Sequence, residues 1–204
     1  GSVSRRGRHL AALYRLIMGA SPGKKRLVIL DRDGVINRDS PDFVRSAEEW
    51  IPLDGSIAAI AALSQAGFTV AVASNQSGLA RGLFDHEALR RMHRKLCDLV
   101  VAEGGKLALI VICPHGPDDG CDCRKPAPGL LLQVADSFDV TLDNVPVIGD
   151  SLRDLEAAIA VGAKPILVRT GNGAKTEKAL PDDLKDILVY DDLREAAAAL
   201  VEGR

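Results

Sequence analysis

Leu-Val-Ile-Leu-Asp-Arg-Asp-Gly, at residues 27–34, is an apolar run that ends in two carboxylates. Consecutive aliphatic residues of this kind predict a buried parallel strand. Asp31 and Asp33 are two positions apart, a spacing that directs strand side chains to one face, and Gly34 permits a sharp turn after them. Because adjacent carboxylates repel each other, their burial indicates a bound cation or a shared proton.

A second apolar run, residues 145–149, also ends in an acid, Asp150. Ligands of open parallel sheets bind at the carboxyl ends of the strands, so Asp31, Asp33 and Asp150 meet there if their strands are neighbours. Oxygen donors of this kind suit Mg²⁺, which usually keeps several waters and is completed by substrate phosphate. An isolated Asp-x-Asp is more typical of a turn in which each aspartate caps backbone amides.

Candidate phosphate-binding groups occur at two places in the sequence. One set follows a third apolar run, residues 69–73, and the other precedes the predicted helix 128–138. Arg124 and Lys125 precede Pro128, a residue suited to the first turn of a helix, and anions are favoured at a helix N-terminus. Each element alone could be an ordinary turn or a solvated basic pair, but their joint occurrence at strand ends favours a phosphate site. The hydroxyl and amide groups after the third run belong to Ser74, Asn75, Gln76 and Ser77.

In their order along the chain, these motifs resemble those of the haloacid dehalogenase superfamily of phosphohydrolases. Within that superfamily, residues 31–37, 74–82 and 113–115 are similar to those of the heptose bisphosphate phosphatases, whose nearest kin are the histidinol-phosphate phosphatases. The matching motif residues are Asp31 and Asp33, Ser74, Lys125, and Gly149 with Asp150.

The resemblance implies hydrolysis of a small phosphorylated sugar through an aspartyl-phosphate. Asp31 would be the nucleophile. Asp33 would act as the general acid and then as the general base. Ser74 and Lys125 would steady the phosphoryl oxygens, so that most of the catalysis is electrostatic positioning.

The same resemblance implies a Mg²⁺ site formed by Asp31, the main-chain carbonyl of Asp33, and Asp150. Asp154 would orient this site rather than bind the metal directly. The chain departs from the family at residues 41–43, where Pro-Asp-Phe replaces a Gly-Tyr-Val type of segment, and at Ser151, where many members carry lysine. The implied substrate contacts are Asp39, Ser40, Pro41, Asp42, Asn75, Gln76, Ser77, Arg124 and Ser151.

Three of the four cysteines and one histidine fall within residues 113–123. Cys-x-His and Cys-x-Cys pairs, joined by a loop rich in Gly and Pro, can surround a tetrahedral Zn²⁺ with no position left open, as in a structural site. The alternative is a disulfide, or thiols beside a free histidine, and a cytosolic chain disfavours the disulfide. By resemblance this is the zinc loop of the heptose enzymes, and it leads directly into Arg124. The candidate ligands are Cys113, His115, Cys121 and Cys123.

Strand and helix patterns alternate along the chain, which predicts an α/β, Rossmann-like three-layer sandwich with a mostly parallel central sheet. About forty residues separate Asp31 from Ser74 and about fifty separate Ser74 from Lys125, too few for a large cap domain. We expect an N-terminal extension, residues 1–26, and a phosphatase domain, residues 27–204. The predicted strands are 27–31, 69–73, 108–113, 145–149, 165–169 and 187–190, and the predicted helices are 55–66, 86–103, 128–138, 152–161 and 192–202.

Composition argues against several other functions. The chain has 204 residues, a formal charge of -2, and only one Trp, two Tyr and four Phe. It lacks the basic surface and the stacking side chains of a single-strand nucleic-acid binder. The sequence contains no apolar run of about eighteen residues, the length that predicts a membrane span. We expect a cytoplasmic monomer.

His86, His93 and Cys97 fall on a predicted helix and are expected in core or surface positions.

Three functional hypotheses remain, and the first two rest on the resemblance. The leading hypothesis is removal of the C7 phosphate of a heptose 1,7-bisphosphate, in heptose-nucleotide synthesis for lipopolysaccharide or another surface glycan. The second is a histidinol-phosphate or other small-ester phosphatase, which would share the acids and the zinc loop. The third is a zinc-stabilised binding module with a vestigial site, which intact Asp31, Asp33, Lys125 and Asp150 argue against.

Overall fold

The structure, a computed structural model, describes residues 26–203. The predicted N-terminal extension, residues 1–26, lies outside the described residues except for its last residue. The strands are β1 (Arg26–Leu30), β2 (Phe68–Asn75), β3 (Leu109–Cys113), β4 (Pro146–Gly149), β5 (Lys164–Val168) and β6 (Leu188–Tyr190). The helices are α1 (Ser56–Gln65), α2 (His86–Ala102), α3 (Gly129–Phe138), α4 (Leu152–Ile159), α5 (Gly173–Lys178) and α6 (Leu193–Glu202), with a 3₁₀ turn at Asp182–Leu184.

The six strands form one parallel sheet in the order β3-β2-β1-β4-β5-β6. Leu30, at the end of β1, is opposite Val72 on one side and Ile148 on the other. The chain order reverses between β1 and β4, and ligands of such sheets bind outside the strand ends at that point. Asp31 directly follows β1 and Asp150 directly follows β4, so the fold brings the predicted acids together.

Alternate residues of β1 enter two cores, one on each face of the sheet. Val28 and Leu30 pack with α1, α2 and α6, while Leu27 and Ile29 pack with α3 and α4. All four side chains are buried. Burial on both faces explains why this strand is a continuous aliphatic run and not an alternating pattern. The predicted three-layer α/β class is confirmed.

No cap domain is inserted within residues 26–203. The carboxyl ends of β1, β2 and β3 are followed only by the connections 31–55, 76–85 and 114–128. In the same range, none of the helices has the length and apolar character needed to cross a bilayer. The short connections therefore form the walls of the site.

The predicted strands and helices are all present, with ends shifted by at most about two residues. The sequence patterns missed α5 and the 3₁₀ turn. α5, Gly-Ala-Lys-Thr-Glu-Lys, has too few apolar residues to show a helical period. Its Thr176 hydroxyl donates to the main-chain carbonyl of Asp150 at 2.8 Å, so this short helix supports the end of β4.

Candidate active site

Lys125 is the centre of the candidate site. Its ammonium group donates to Asp31 Oδ1 and to the Ala73 carbonyl, each at 2.8 Å, and lies 2.5 Å from Asp154 Oδ1. The side chain is only 4% exposed, so its charge needs such partners. Burial lowers the pKa of Lys125, but the carboxylates of Asp154 and Asp31 outweigh burial and raise the pKa above its ordinary value. The ammonium group therefore stays charged.

Asn75, at the end of β2, fixes the backbone of Lys125. Asn75 Nδ2 donates to the Lys125 carbonyl at 3.0 Å, and the Lys125 N–H donates to Asn75 Oδ1 at 3.0 Å. Both main-chain groups of Lys125 are thereby satisfied. Asn75 holds the central cation in place, in addition to its predicted role as a substrate contact.

Three carboxylates surround the space next to Lys125. Asp31, Asp150 and Asp154 each offer an oxygen within 4.8 Å of the others. Burial, only partly offset by Lys125, raises the pKa of Asp31 to about 7, and Asp154 and Asp150 add to the rise. Burial also raises the pKa of Asp150 to about 6. Three carboxylates and one ammonium leave two formal negative charges, which one divalent cation would balance, and hard oxygen ligands suit Mg²⁺.

Asp154 is held as an anion from two sides. Lys125 lies against Oδ1, while the hydroxyl and main-chain N–H of Ser151 donate to Oδ2 at 2.5 Å and 3.1 Å. Burial alone would raise the pKa of Asp154, but Lys125 and Ser151 lower it. This arrangement agrees with an orienting role for Asp154, which stays a prediction.

Asp150 is packed tightly between two glycines. A Cβ atom would lie 2.1 Å from Asp150 Oδ2 if placed at Gly34, and 2.2 Å from it if placed at Gly171. Both glycines have left-handed backbones, with φ of +82° and +57°. Asn172 holds the same oxygen, since its main-chain N–H donates at 2.7 Å and its Nδ2 at 3.2 Å. A side chain at either glycine would displace the carboxylate.

Gly171→Ala is expected to weaken Mg²⁺ binding roughly tenfold or more, because the methyl group would push Asp150 away from its neighbours. Isothermal titration with Mg²⁺ measures the change. Gly67→Ala is the matched control, since Gly67 has a left-handed backbone with φ of +87° but open space around it. Equal Mg²⁺ affinities in the two variants would contradict the importance of the close approach.

The Asp33 carboxylate lies outside this group of acids. Asn37 Nδ2 donates to Oδ1 and Gln76 Nε2 donates to Oδ2, each at 2.8 Å, and Arg32 donates to both oxygens at 2.9 Å. Burial would raise the pKa of Asp33, but the Arg32 charge and these hydrogen bonds lower it. The contribution of Asp33 to Mg²⁺ binding, through its main-chain carbonyl, stays a prediction.

The four candidate zinc ligands form a second cluster. Tetrahedral Zn–S bonds of about 2.3 Å place sulfur atoms about 3.8 Å apart. The three cysteine Sγ atoms are separated by 3.2, 3.6 and 3.7 Å, and His115 Nδ1 lies 3.2 Å from Cys123 Sγ and 3.6 Å from Cys113 Sγ. These cysteines are free, so the disulfide alternative is wrong. The donor set and its spacing are compatible with zinc.

A cavity of about 340 Å³ opens beside Lys125 and the three carboxylates around it. It is lined by Asp150 and by the four predicted catalytic residues, Asp31, Asp33, Ser74 and Lys125. Six predicted substrate contacts also line it, namely Asp39, Ser40, Asn75, Ser77, Arg124 and Ser151.

Three predicted substrate contacts do not line this cavity. Gln76 is buried behind it, where its Nε2 donates to Ser74 Oγ at 2.8 Å. Pro41 lines a neighbouring cavity of about 470 Å³. Asp42 is exposed on the loop next to it.

Sequence reasoning missed several residues of the site. Asn172 had a detectable signal, because Thr-Gly-Asn-Gly at residues 170–173 follows β5 as a polar, glycine-rich stretch. The guanidinium group of Arg81 lies 5.6 Å from the centroid of the Phe43 ring, a contact between two loops that no local pattern indicates. The unpredicted cavity residues are Phe43, Arg81, Pro117, Arg153 and Asn172.

Asp31, Ser74 and Asp150 lie at the ends of adjoining parallel strands, and Lys125 joins them from the connection that follows β3. This arrangement defines a hydrolase of the haloacid dehalogenase class. Residues 122–196 match the family model described as HAD-hydrolase-like. The chain is 55% identical over 179 residues to the D-glycero-beta-D-manno-heptose-1,7-bisphosphate 7-phosphatase of Pseudomonas aeruginosa, which covers 87% of this chain and 99% of that protein. The chain belongs to this family of phosphatases.

Further relatives agree. The protein of the same name from Bordetella bronchiseptica is 52% identical over 179 residues, covering 87% of this chain and 98% of that protein. The crystal structure of the D,D-heptose 1,7-bisphosphate phosphatase from B. bronchiseptica, complexed with magnesium and phosphate, is similar with a TM-score of 0.84 at 51% identity. The similarity covers 88% of this chain and 99% of that one. The resemblance stated from the sequence motifs is confirmed.

Proposed function

We propose that the chain is a Mg²⁺-dependent phosphatase that removes the C7 phosphate of D-glycero-β-D-manno-heptose 1,7-bisphosphate, in heptose-nucleotide synthesis for lipopolysaccharide or another surface glycan. The observation that carries the proposal is the buried Lys125 between Asp31 and Asp154, beside Asp150, in a chain of this family. Such a preorganised set of charges suits phosphoryl transfer, in which developing charge must be stabilised.

In the first step, a carboxylate oxygen of Asp31 attacks phosphorus and the bond between phosphorus and the C7 oxygen breaks. Asp33, which carries the proton taken from water in the preceding turnover, donates it to the departing oxygen. Ser74 and Lys125 hold the phosphoryl oxygens during the transfer. Asp31, Asp150 and the main-chain carbonyl of Asp33 would hold Mg²⁺, which when bound offsets the charge on the phosphoryl oxygens.

In the second step, water attacks the phosphorus of the aspartyl-phosphate, and the bond to the Asp31 oxygen breaks. Asp33, now a carboxylate, accepts the proton from the water. Inorganic phosphate leaves and Asp31 is restored. The hydrogen bonds to Asp33 from Asn37 and Gln76 suit the carboxylate form that this step requires.

The cavity walls suit a bisphosphate with a polar sugar between its ends. Arg81, Arg124 and Arg153 line the cavity with Asp39 and Ser40. Guanidinium groups bind phosphate well, while carboxylates and hydroxyl groups accept hydrogen bonds from sugar hydroxyl groups. The short loops would therefore select the substrate in place of a cap.

Phosphate release from a panel of esters tests the proposal. With Mg²⁺, kcat/KM for the heptose bisphosphate is expected to exceed that for histidinol phosphate by at least about tenfold, with heptose 1-phosphate as the product seen by ³¹P NMR. Without Mg²⁺, release should nearly cease. Preference for histidinol phosphate would support the second hypothesis, and no release from any ester would support the vestigial site.

Removal of zinc is expected to raise KM for the sugar phosphate roughly tenfold, with a much smaller change in kcat. The reason is that the loop at residues 113–123 orders Arg124, whose Nη1 donates to the His115 carbonyl at 3.3 Å, while Asp31 lies on a different element. Steady-state kinetics before and after chelation, with Mg²⁺ restored, measure the effect.

Cys121→Ser should reproduce this rise in KM, and it should lower the zinc content from about one ion per chain. Cys97→Ser is the matched control, since Cys97 is a free cysteine on α2 outside the cluster. Zinc removal that leaves KM unchanged would refute the positioning role of the loop.

We also propose a cytoplasmic monomer with residues 27–204 as one phosphatase domain. The free cysteines suit a reducing compartment. Light scattering of the purified protein tests the oligomeric state, with a mass near twice that of the chain as the contrary result.

A further inference from the structure

Arg32, the residue between the two aspartates, is itself buried, with 1% of its surface exposed. Its Nε donates to Asp33 Oδ1 at 3.1 Å, and its Nη2 donates to both Asp33 oxygens at 2.9 Å and to Gln76 Oε1 at 3.1 Å. A guanidinium group is rigid and planar, so these bonds fix its plane relative to the Asp33 carboxylate. Arg32 therefore sets the orientation of the group proposed as acid and base.

His93, on α2, contacts the other end of the guanidinium group. Its Nε2 lies 3.4 Å from Arg32 Nη1. A guanidinium group has donors only, so Nε2 must accept, and the ring must be neutral with its proton on Nδ1. Burial and the Arg32 charge lower the pKa of His93 to about 4, which agrees with a neutral ring near pH 7.

We propose that His93 and Arg32 are positioning residues for the acid–base step. His93 accepts from Arg32 and fixes its guanidinium group, and Arg32, together with Gln76 and Asn37, fixes the Asp33 carboxylate. The inference rests on the proposed function, because it assigns Asp33 to proton transfer. It extends the site to a helix that contributes no residue to the cavity.

The contacts from His93 through Arg32 restrain a carboxylate that lies on a loop. Asp33 lies on a loop after β1 and not in a strand, and a proton donor must stay within hydrogen-bond reach of the leaving oxygen. No cap domain closes over the loop within the described residues. A buried side chain anchored to the long helix α2 is a rigid substitute, since α2 packs its Leu89, Met92 and Leu96 into the core.

Two substrates separate positioning of an acid from general damage. From the heptose bisphosphate the leaving group is the C7 alkoxide of heptose 1-phosphate, which needs a proton. From p-nitrophenyl phosphate the leaving group is p-nitrophenolate, which is stable near neutral pH. In His93→Phe, kcat/KM for the sugar phosphate is expected to fall roughly tenfold or more, and that for p-nitrophenyl phosphate less than about threefold. His93→Gln, whose amide oxygen can accept from Arg32, should restore the sugar phosphate rate.

His86→Phe is the matched control, since His86 is exposed at the start of the same helix, and it should leave both rates unchanged. Equal losses on both substrates in His93→Phe, no loss on either, or no rescue by His93→Gln would overturn the inference. ¹⁵N NMR of the wild-type protein is a test that needs no variant. It should show His93 neutral and protonated on Nδ1 near pH 7, and a cationic ring or the other tautomer would overturn the inference.

Failure of this inference is distinguishable from failure of the proposed function. If the wild-type enzyme prefers another alkyl phosphate, the same comparison against p-nitrophenyl phosphate is made with that ester. The substrate assignment then fails while the role of His93 is still measured.

Discussion

Asp31→Asn is expected to abolish phosphate release from the sugar phosphate, with a loss in kcat of at least about 10⁴-fold. The amide keeps the size of the side chain and an oxygen for the bond from Lys125, but it cannot form an acyl phosphate. The neighbouring acids are poor substitutes. Both oxygens of Asp154 are occupied, Oδ1 by Lys125 and Oδ2 by Ser151, and Asp150 Oδ2 accepts two hydrogen bonds from Asn172. Steady-state phosphate release measures the loss.

Stability separates this chemical effect from unfolding. In the metal-free protein, burial raises the pKa of Asp31 to about 7 from its ordinary value of 3.8. The folded state therefore holds a proton that the unfolded state has lost between these values, and stability from this group falls as the pH rises through that window. Asp31→Asn removes the penalty, so its metal-free Tm at pH about 8 should equal or exceed that of the wild type.

Asp54→Asn is the matched control, because the Asp54 side chain is 97% exposed, and it should keep full activity. Mass spectrometry after brief incubation with substrate should find a phosphoryl adduct on the peptide that contains residue 31 in the wild type only. Substantial turnover by Asp31→Asn, or an adduct on another residue, would contradict the assignment of the nucleophile.

Much of the fold could be predicted because it depends on local patterns. From Leu27 to Leu30, β1 is buried on both faces and is therefore aliphatic at every position. In β4, Ile148 enters one core and Val147 the other. The acids Asp31 and Asp150 directly follow these strands, and the geometry of parallel sheets places such residues at one edge. The zinc cluster is also local, since its four ligands lie within eleven consecutive residues.

The remaining parts of the site depend on contacts between distant elements. Arg32 reaches His93 across 61 positions and Gln76 across 44, which no short pattern encodes. The contact of Asn172 with Asp150 requires β5 to lie next to β4, a strand order that the alternation of elements leaves open. Gln76 was predicted to contact substrate because it follows a strand, but its side chain turns inward to Asp33.

Lys125→Met is expected to cost about 3–5 kcal/mol of unfolding free energy near neutral pH, and to reduce kcat severely. The apolar side chain is similar in length, but it leaves Asp31 and Asp154 buried without their shared ammonium group. Both carboxylates then repel each other in a space from which water is largely excluded, since Asp154 is 3% and Asp31 13% exposed. Denaturant unfolding of the metal-free proteins measures the cost.

The pH dependence identifies charge as the cause. In the wild type, Lys125 outweighs burial and holds the pKa of Asp154 low, so the stability from Asp154 is present above its unfolded pKa and is lost as the pH falls through its folded pKa. In Lys125→Met only the hydrogen bonds from Ser151 still oppose the effect of burial on Asp154. Both acids therefore take up protons at higher pH than in the wild type, and their neutral forms are tolerated. The difference between the two proteins should therefore shrink between pH about 8 and about 5. Lys106→Met is the matched control at an exposed position, and it should change the free energy of unfolding by less than about 0.5 kcal/mol. A loss of stability in Lys125→Met that did not vary with pH would assign the effect to packing.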